Sequence, residues 1–338
     1  MIHPKLLRLQ RIVFFSFLII LFLTIAWNIT TGDYKMSAGT FFKTLFGGGD
    51  ARDQLILMEF RMPRMIVAAL TGMALSMSGA VLQSVSKNPL ADPGILGINA
   101  GGGFAVTVFI AFGTVNPAHF IYVIPVVSVI GGLLAALLIF MFSYSKGKGI
   151  TPASMVLIGI GLAGGLSGAS ILIMRSLRPD QIEFIANWQA GTIWGDQWEF
   201  VYALLPWLII IVPVIFMKSN VLNIINTDDL TARNLGINLN RERIVLLTLA
   251  VLLSSAAVSV AGGIGFIGLM GPHIARSIVG PRHQLYMPVA LLAGAVLLVT
   301  ADTLGQIAVE TGTIPAGIVV AIIGAPYFLY LMFKNKRI

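Results

Sequence analysis

Lys218–Arg243, KSNVLNIINTDDLTARNLGINLNRER, is a long polar break in the middle of a chain that is otherwise mostly hydrocarbon-soluble. Apolar runs end on one side at Met217 and resume on the other at Ile244. Within the break, Thr227–Leu235 reads as a short helix. Thr227 is a fair N-cap, Asp228 and Asp229 occupy the first turn, where the helix dipole favours anions, and Gly236 is a natural C-terminal stop. Leu230, Ala232 and Leu235 give this helix one small apolar patch. A short helix strung between two membrane spans has little in its own loop against which to bury that patch. It is either a solvated hairpin or a knob on which another protein docks.

Composition sets the class around this loop. The chain has 338 residues, of which 57% are hydrophobic and only 11% charged, with mean hydropathy +0.90. Soluble domains carry about 25% charged residues, so the pattern is that of a polytopic membrane protein. There is no cysteine, which excludes disulfides and thiolate metal sites. The four histidines, His3, His119, His273 and His283, lie too far apart in sequence to make a ligand cluster. The net charge of +8 points to basic inner loops rather than to nucleic acid. Residues 1–30 lack a small-residue cleavage site and read as a retained span.

Ten apolar runs follow in order. The first, Ile12–Ile29, is preceded by Lys5, Arg8 and Arg11, which places the N-terminus inside. Span two, Met65–Val85, starts at an outer mouth marked by Arg61 and Arg64 and stops at SKNPLADPG, where two prolines and Asn88 end any helix. Spans three to five are read at about 94–112, 120–142 and 152–174. An outer segment with Trp188, Trp194 and Trp198 suits a membrane interface. Span six covers 200–217 and span seven 244–261. GGIGFIGLMGPHIARSIVG then forms a shortened span eight, and spans nine and ten lie at 285–308 and 314–333. This topology puts both termini and the 218–243 loop inside, with fifteen of the 22 lysines and arginines on that side.

The breaks after spans two and seven fall at matching places but on opposite faces. That is the mark of an inverted repeat, spans two to five against seven to ten. Ionisable groups within the apolar runs are few. Asp302 is the clearest, and it reads either as a carboxyl bonded to nearby backbone or Thr303, or as a proton relay. His273 and Arg276 read as a polar helix end. Gln83 and Asn99 flank the NPLADPG break and are placed to satisfy its free backbone groups. Gly159, Gly161, Gly164, Gly165 and Gly168 in span five permit close helix packing or leave room for a wide pathway. No GxxxxGK[ST] occurs, so the chain does not hydrolyse nucleotide through a P-loop, and transport must draw on an ion gradient or a partner.

Several motifs carry a family resemblance: RMPR (61–64), GMALSMSGAVLQSVSKNPLADPGILGINAG (72–101), LN…LTARNLG (222–236), AGGIGFIGLMGPHIARSIVG (261–280), ADTLG (301–305) and IPAGIVVAIIGAPYFLYL (314–331). In order and spacing they resemble the FecCD/BtuC family of permease subunits of binding-protein-dependent ABC importers for iron-siderophores, haem and cobalamin. The wording of FRMPR and NPLADPGILGINAG is most similar to the second permease subunit of ferric hydroxamate uptake systems. The resemblance implies an all-α, ten-span type II importer permease, one domain over 1–338, in a bacterial cell membrane. It implies no enzyme activity and no cofactor bound by this chain, with ATP and Mg held by a cytoplasmic ATPase dimer. The other partners it implies are a second permease subunit, an extracytoplasmic substrate-binding protein and a ferric siderophore, with no nucleic acid.

The same resemblance implies residue roles. Asp228, Asp229, Leu230, Ala232, Leu235 and Gly236 carry the ATPase contact. Arg61 and Arg64 pair with carboxylates on the binding protein. Asn88 and Leu90 form an inner gate, with Thr151 at its companion. Two positions depart from the family pattern: Gln306 replaces an arginine, and Thr313 a glutamate. An asymmetric docking surface fits a heterodimer better than a homodimer. The rival cargoes are cobalamin and haem, and the rival class is a proton-coupled secondary transporter using Asp302.

Overall fold

The computed structural model describes residues 3–31, 36–94, 97–113, 120–145, 149–150, 152–193, 197–227, 229–309 and 312–335. Among them the chain forms helices α1 (Pro4–Thr30), α2 (Ala38–Leu45), α3 (Ala51–Leu55), α4 (Met62–Val85), α5 (Ile98–Phe112), α6 (Phe120–Ser143), α7 (Pro152–Met174), α8 (Pro179–Gln189), α9 (Trp198–Met217), α10 (Ser219–Ile225), α11 (Asp229–Asn234), α12 (Leu239–Ala261), α13 (Ile267–Val279), α14 (His283–Ile307) and α15 (Ala316–Asn335). A two-residue antiparallel ribbon, β1 (Tyr144–Ser145) with β2 (Gly149–Ile150), closes the turn between α6 and α7.

Among the described residues, eight helical stretches are long and apolar enough to cross a membrane. Of the ten expected spans, number eight is the short helix α13, as its sequence predicts, while number three is the short helix α5 rather than a full span. Span two begins earlier than expected. Ala51–Val85 runs on as one helical stretch, with a wide turn at Ile56–Arg61 in which the Met62 N–H reaches back to the Leu57 carbonyl. The cause lies one residue on: Pro63 has no N–H to continue the α-helical ladder. Arg61 and Arg64 therefore stand on this helix rather than ahead of it.

α4 is the buried centre, packed by α12, α13, α14 and α9. Small residues make this possible, because apolar burial does not drive helices together in lipid and close backbone approach must do so instead. A Cβ on Gly72 would stand 2.2 Å from the Gly294 carbonyl oxygen, and one on Gly79 only 1.9 Å from that of Gly268. Hydroxyls add cross-helix bonds: Ser76 donates to the Ala290 carbonyl at 2.6 Å and Ser78 to that of Ala250 at 2.7 Å.

The inverted repeat is real. α4–break–α5–α6–α7 is matched by α12–break–α13–α14–α15, with α5 packed on α6 and α7 as α13 is on α14 and α15. The first break lies at the end of the bundle that carries 218–243, hereafter the loop end. The second lies at the opposite end, where the Gly263 N–H meets the Trp188 carbonyl of α8 at 3.2 Å. Chain direction puts Pro4 and Asn335 at the loop end too.

Gln83 and Asn99 do satisfy a break, but the other repeat's. Gln83 Nε2 donates to the Gly268 carbonyl at 3.0 Å, and Asn99 Nδ2 to the Ile264 carbonyl at 3.0 Å. The first repeat thus supplies hydrogen bonds that the interrupted backbone of α12–α13 would otherwise lack in a medium without water. Trp188, expected at a membrane interface, is 2% exposed and belongs to the core. Trp198 donates its indole N–H to the Met58 carbonyl, and Trp194 lies outside the described residues.

Candidate coupling and docking surfaces

The loop end is built from two short helices where one was expected. Thr227 does not cap α11. Its hydroxyl donates to the Ile224 carbonyl and closes α10, and α11 starts at Asp229. Asp228 lies outside the described residues. The C-terminus of α11 is as expected: Gly236 takes φ +80, its N–H bonds the Arg233 carbonyl, and the Ile237 N–H reaches the Ala232 carbonyl at 3.2 Å. That paired arrangement is the usual glycine stop.

Two apolar side chains of this segment face outward, Leu230 at 69% and Leu235 at 63% exposure. Ala232 is a correction. It is fully buried against the body of the protein, so it seats the helix and offers no surface. Asp229 is the tie. Lys87, from the break after α4, bonds its carboxylate at 2.7 Å and also donates to the Thr227 carbonyl. Arg243, in the first turns of α12, grips the same carboxylate through both oxygens at 2.9 and 3.1 Å.

Partial burial works against the charge on Asp229. The Lys87 hydrogen bond and the two cations outweigh it and hold this carboxyl below its ordinary value of 3.8. A lowered value means that the clamp is at full strength above pH 3.8 and is lost only as pH falls through the still lower folded-state value.

At the opposite end, Arg64 forms a two-point ion pair with Asp302. Nη2 lies 2.8 Å from Oδ1 and Nε 3.2 Å from Oδ2, and the carboxylate is 3% exposed. Asp302 was expected on backbone or Thr303, so its true partner is a correction. Thr303 instead accepts from Asn28 and donates to the Val299 carbonyl. Gln306 also donates to Asp302, at 2.7 Å. Arg61 caps the last turn of α1 through the carbonyls of Asn28 and Ile29. Both arginines thus lock α4 to its neighbours, α1 and α14, while Arg64 stays 25% exposed at this end.

Residues 18–334 match the FecCD transport family. The chain belongs to that family. The iron(3+)-hydroxamate import system permease protein FhuG of Bacillus subtilis is 41% identical over 311 residues, covering 91% of this chain and 92% of the relative. The iron-uptake system permease protein FeuC of the same organism is 36% identical over 96% of this chain and 98% of its own length. A solved ABC transporter described as metal-chelate type, in an inward-facing conformation, superposes with TM-score 0.83 at 27% identity, covering 98% of this chain and all of that one.

A FecCD transport protein moves its cargo without transforming it, and this chain is a multi-pass permease rather than an enzyme. Asn88 proves to be a turn former, its Oδ1 accepting the Leu90 N–H at 3.0 Å. Leu90 packs in a cluster with Leu269, Met270 and Leu331 from α13 and α15. Thr151 lies outside the described residues. On α7, a Cβ at Gly161, Gly164, Gly165 or Gly168 would meet open space, so this helix presents an unfilled face rather than a tight packing seam. Thr313 is exposed.

Sequence reasoning missed Lys87 and Arg243 as partners of Asp229. Nothing local signals a pair that spans 142 residues. It also missed the chain Asn220–Gln284–Asn223–His283–Ser84, which stitches α10 to α14 and α4. Arg276 turns inward onto Gln83 Oε1 at 2.8 Å and lies over the Tyr286 ring, so it is more than a polar helix end.

Proposed function

We propose that this chain is one permease half of an ABC importer that carries a ferric siderophore, of hydroxamate type, into the cytoplasm. The whole of 1–338 acts as a single permease domain in the bacterial cytoplasmic membrane, with the loop end and both termini inside. A separate ATPase dimer seats α10–α11 and supplies ATP and Mg. The observation that carries the reading is the exposed Leu230–Leu235 patch on a helix held rigidly at Asp229 by Lys87 and Arg243. A lever must be stiff to transmit force, and a partly exposed clamp of three charges stiffens this one.

A second, non-identical permease meets the open glycine face of α7, and cargo passes between the two. An extracytoplasmic binding protein docks at the arginine end, where Arg64 and Arg61 steer and orient its carboxylates. The names of FhuG and FeuC support iron-chelate cargo. The reading is tested by reconstituting the chain with its partner permease, ATPase and binding protein in vesicles. Uptake of a ferric trihydroxamate should require ATP and ignore a proton gradient. Gradient-driven uptake without ATP would overturn it.

A further inference from the structure

Between α6 and α9, toward the arginine end, lies a groove of about 270 Å3, floored by Ser259 of α12. Tyr122 and Ile130 edge it from α6, and Glu199, Ala203 and Trp207 from α9. Tyr122, Ile130, Glu199 and Ala203 are exposed, and they stand on two apolar spans, so the medium that reaches them is lipid. Ile130 lies eight residues beyond Tyr122, about 12 Å along the helix. The hydrocarbon of one leaflet is about 15 Å deep, so the groove has the length of an acyl chain within that leaflet. Trp198, bonded to the Met58 carbonyl, marks its head by stacking on Tyr202 at 6.2 Å, and such aromatic rings settle at headgroup level.

Glu199 is the one charged side chain among the described lining residues. It makes no hydrogen bond or ion pair among the described residues. The α9 dipole favours an acid in this first turn but gives its oxygens no donor. Ser259 gives none either, because its hydroxyl donates to the Ala256 carbonyl at 2.8 Å. An unpaired carboxylate at the rim of hydrocarbon is costly until a cation reaches it.

We propose that this groove binds one phospholipid with a primary-amine head, of the phosphatidylethanolamine type. One acyl chain runs down past Ile130 and Trp207, and the ammonium donates to the Glu199 oxygens. A quaternary ammonium head has no N–H and cannot make that bond. A glycerol head leaves only the phosphate charge, which Glu199 repels. The bound lipid braces α9, whose other end runs directly into α10 of the loop segment.

The test uses the purified, delipidated complex and three phospholipids with identical photoreactive acyl chains and ethanolamine, choline or glycerol heads. Peptide mapping after irradiation reads where the chain lies. The ethanolamine lipid should label the groove walls of α6 and α9 about tenfold more than either of the others, the effect of one charge-assisted hydrogen bond. Glu199→Gln, at an exposed position, should bring it down to the choline level. Ala203→Phe fills the groove, also from an exposed position, and should lower labelling by all three. A monodisperse elution profile verifies folding of both variants.

Equal labelling by the three heads in the unaltered chain would mean ordinary boundary lipid and overturn the site. Undiminished ethanolamine preference in Glu199→Gln would overturn the role of the carboxylate and with it the proposal. A Tyr122→Cys thiol that cross-links to a neighbouring permease subunit, with no lipid label, would assign the groove to protein and overturn it too. None of these readouts involves transport, so gradient-driven uptake would sink the functional reading and leave the lipid site standing.

Discussion

The two interrupted segments share one backbone plan and differ in what holds them. The first break, after α4, turns on Lys87 at φ +49, a left-handed conformation that costs a lysine about 1–2 kcal/mol. Its side chain spans to Asp229 and the Thr227 carbonyl on the loop segment. The second break, after α12, turns on Gly262 at φ +70 and is pinned by backbone: a Cβ on Gly262 would sit 2.0 Å from the Trp188 carbonyl oxygen. One break is tied by charged side chains to the segment a motor would grip. The other is tied by main chain to α8. Symmetric architecture thus yields a joint held by charged side chains at the loop end and a joint held by main chain at the other.

Substitutions can break or sharpen this contrast. The largest effect belongs to the fixed parts. Gly79→Ala drives a methyl into the Gly268 carbonyl, and Gly262→Ala adds a left-handed strain to a backbone clash. Each should cost about 3 kcal/mol, seen as a sharp fall in thermal stability of the purified complex. Tolerance of Gly262→Ala would mean that the second joint is not fixed.

Arg61→Gln with Arg64→Gln, which keeps an N–H donor for the α1 carbonyls and Asp302, should weaken binding-protein capture by about tenfold in low salt while ATPase assembly persists, since close charge pairs at an interface govern docking. Unchanged capture would remove the docking role.

Lys87→Ala should cost only about 1 kcal/mol of stability, as partly exposed ion pairs do. It should also lower uptake per ATP hydrolysed, because the joint comes loose. If coupling is unaffected, the ionic tie is passive.

Asp302→Asn should have the smallest effect on transport, within about threefold in a vesicle assay, because the neutral amide still bonds Arg64 and the carboxylate only orients it. A dead transporter would restore the proton-relay reading.

Much of this was legible in the chain. Composition and loop charge reveal a polytopic membrane protein, and the proline-rich NPLADPG and glycine-rich GGIGFIGLMGP mark the two breaks, although Pro272 of the second motif lies inside α13. Leu230 and Gly236 were readable from local helix rules. What stayed hidden is pairing over distance. Arg64–Asp302 joins residues 238 apart, and Lys87–Asp229 residues 142 apart, so neither ion pair leaves a local trace. Ala232 was misplaced because a six-residue helix has too few turns for its buried face to show as a period. Gln83 and Asn99 were correctly seen as break-satisfying residues, but the fold crosses them between repeats.

The most direct measurement exploits the lack of native cysteine. Leu230→Cys introduces a single thiol on the exposed face of α11. With the assembled transporter in sealed, right-side-out vesicles, this thiol should cross-link to the ATPase and resist a membrane-impermeant maleimide added outside. Labelling from outside, with no cross-link to a nucleotide-hydrolysing subunit, would contradict the account.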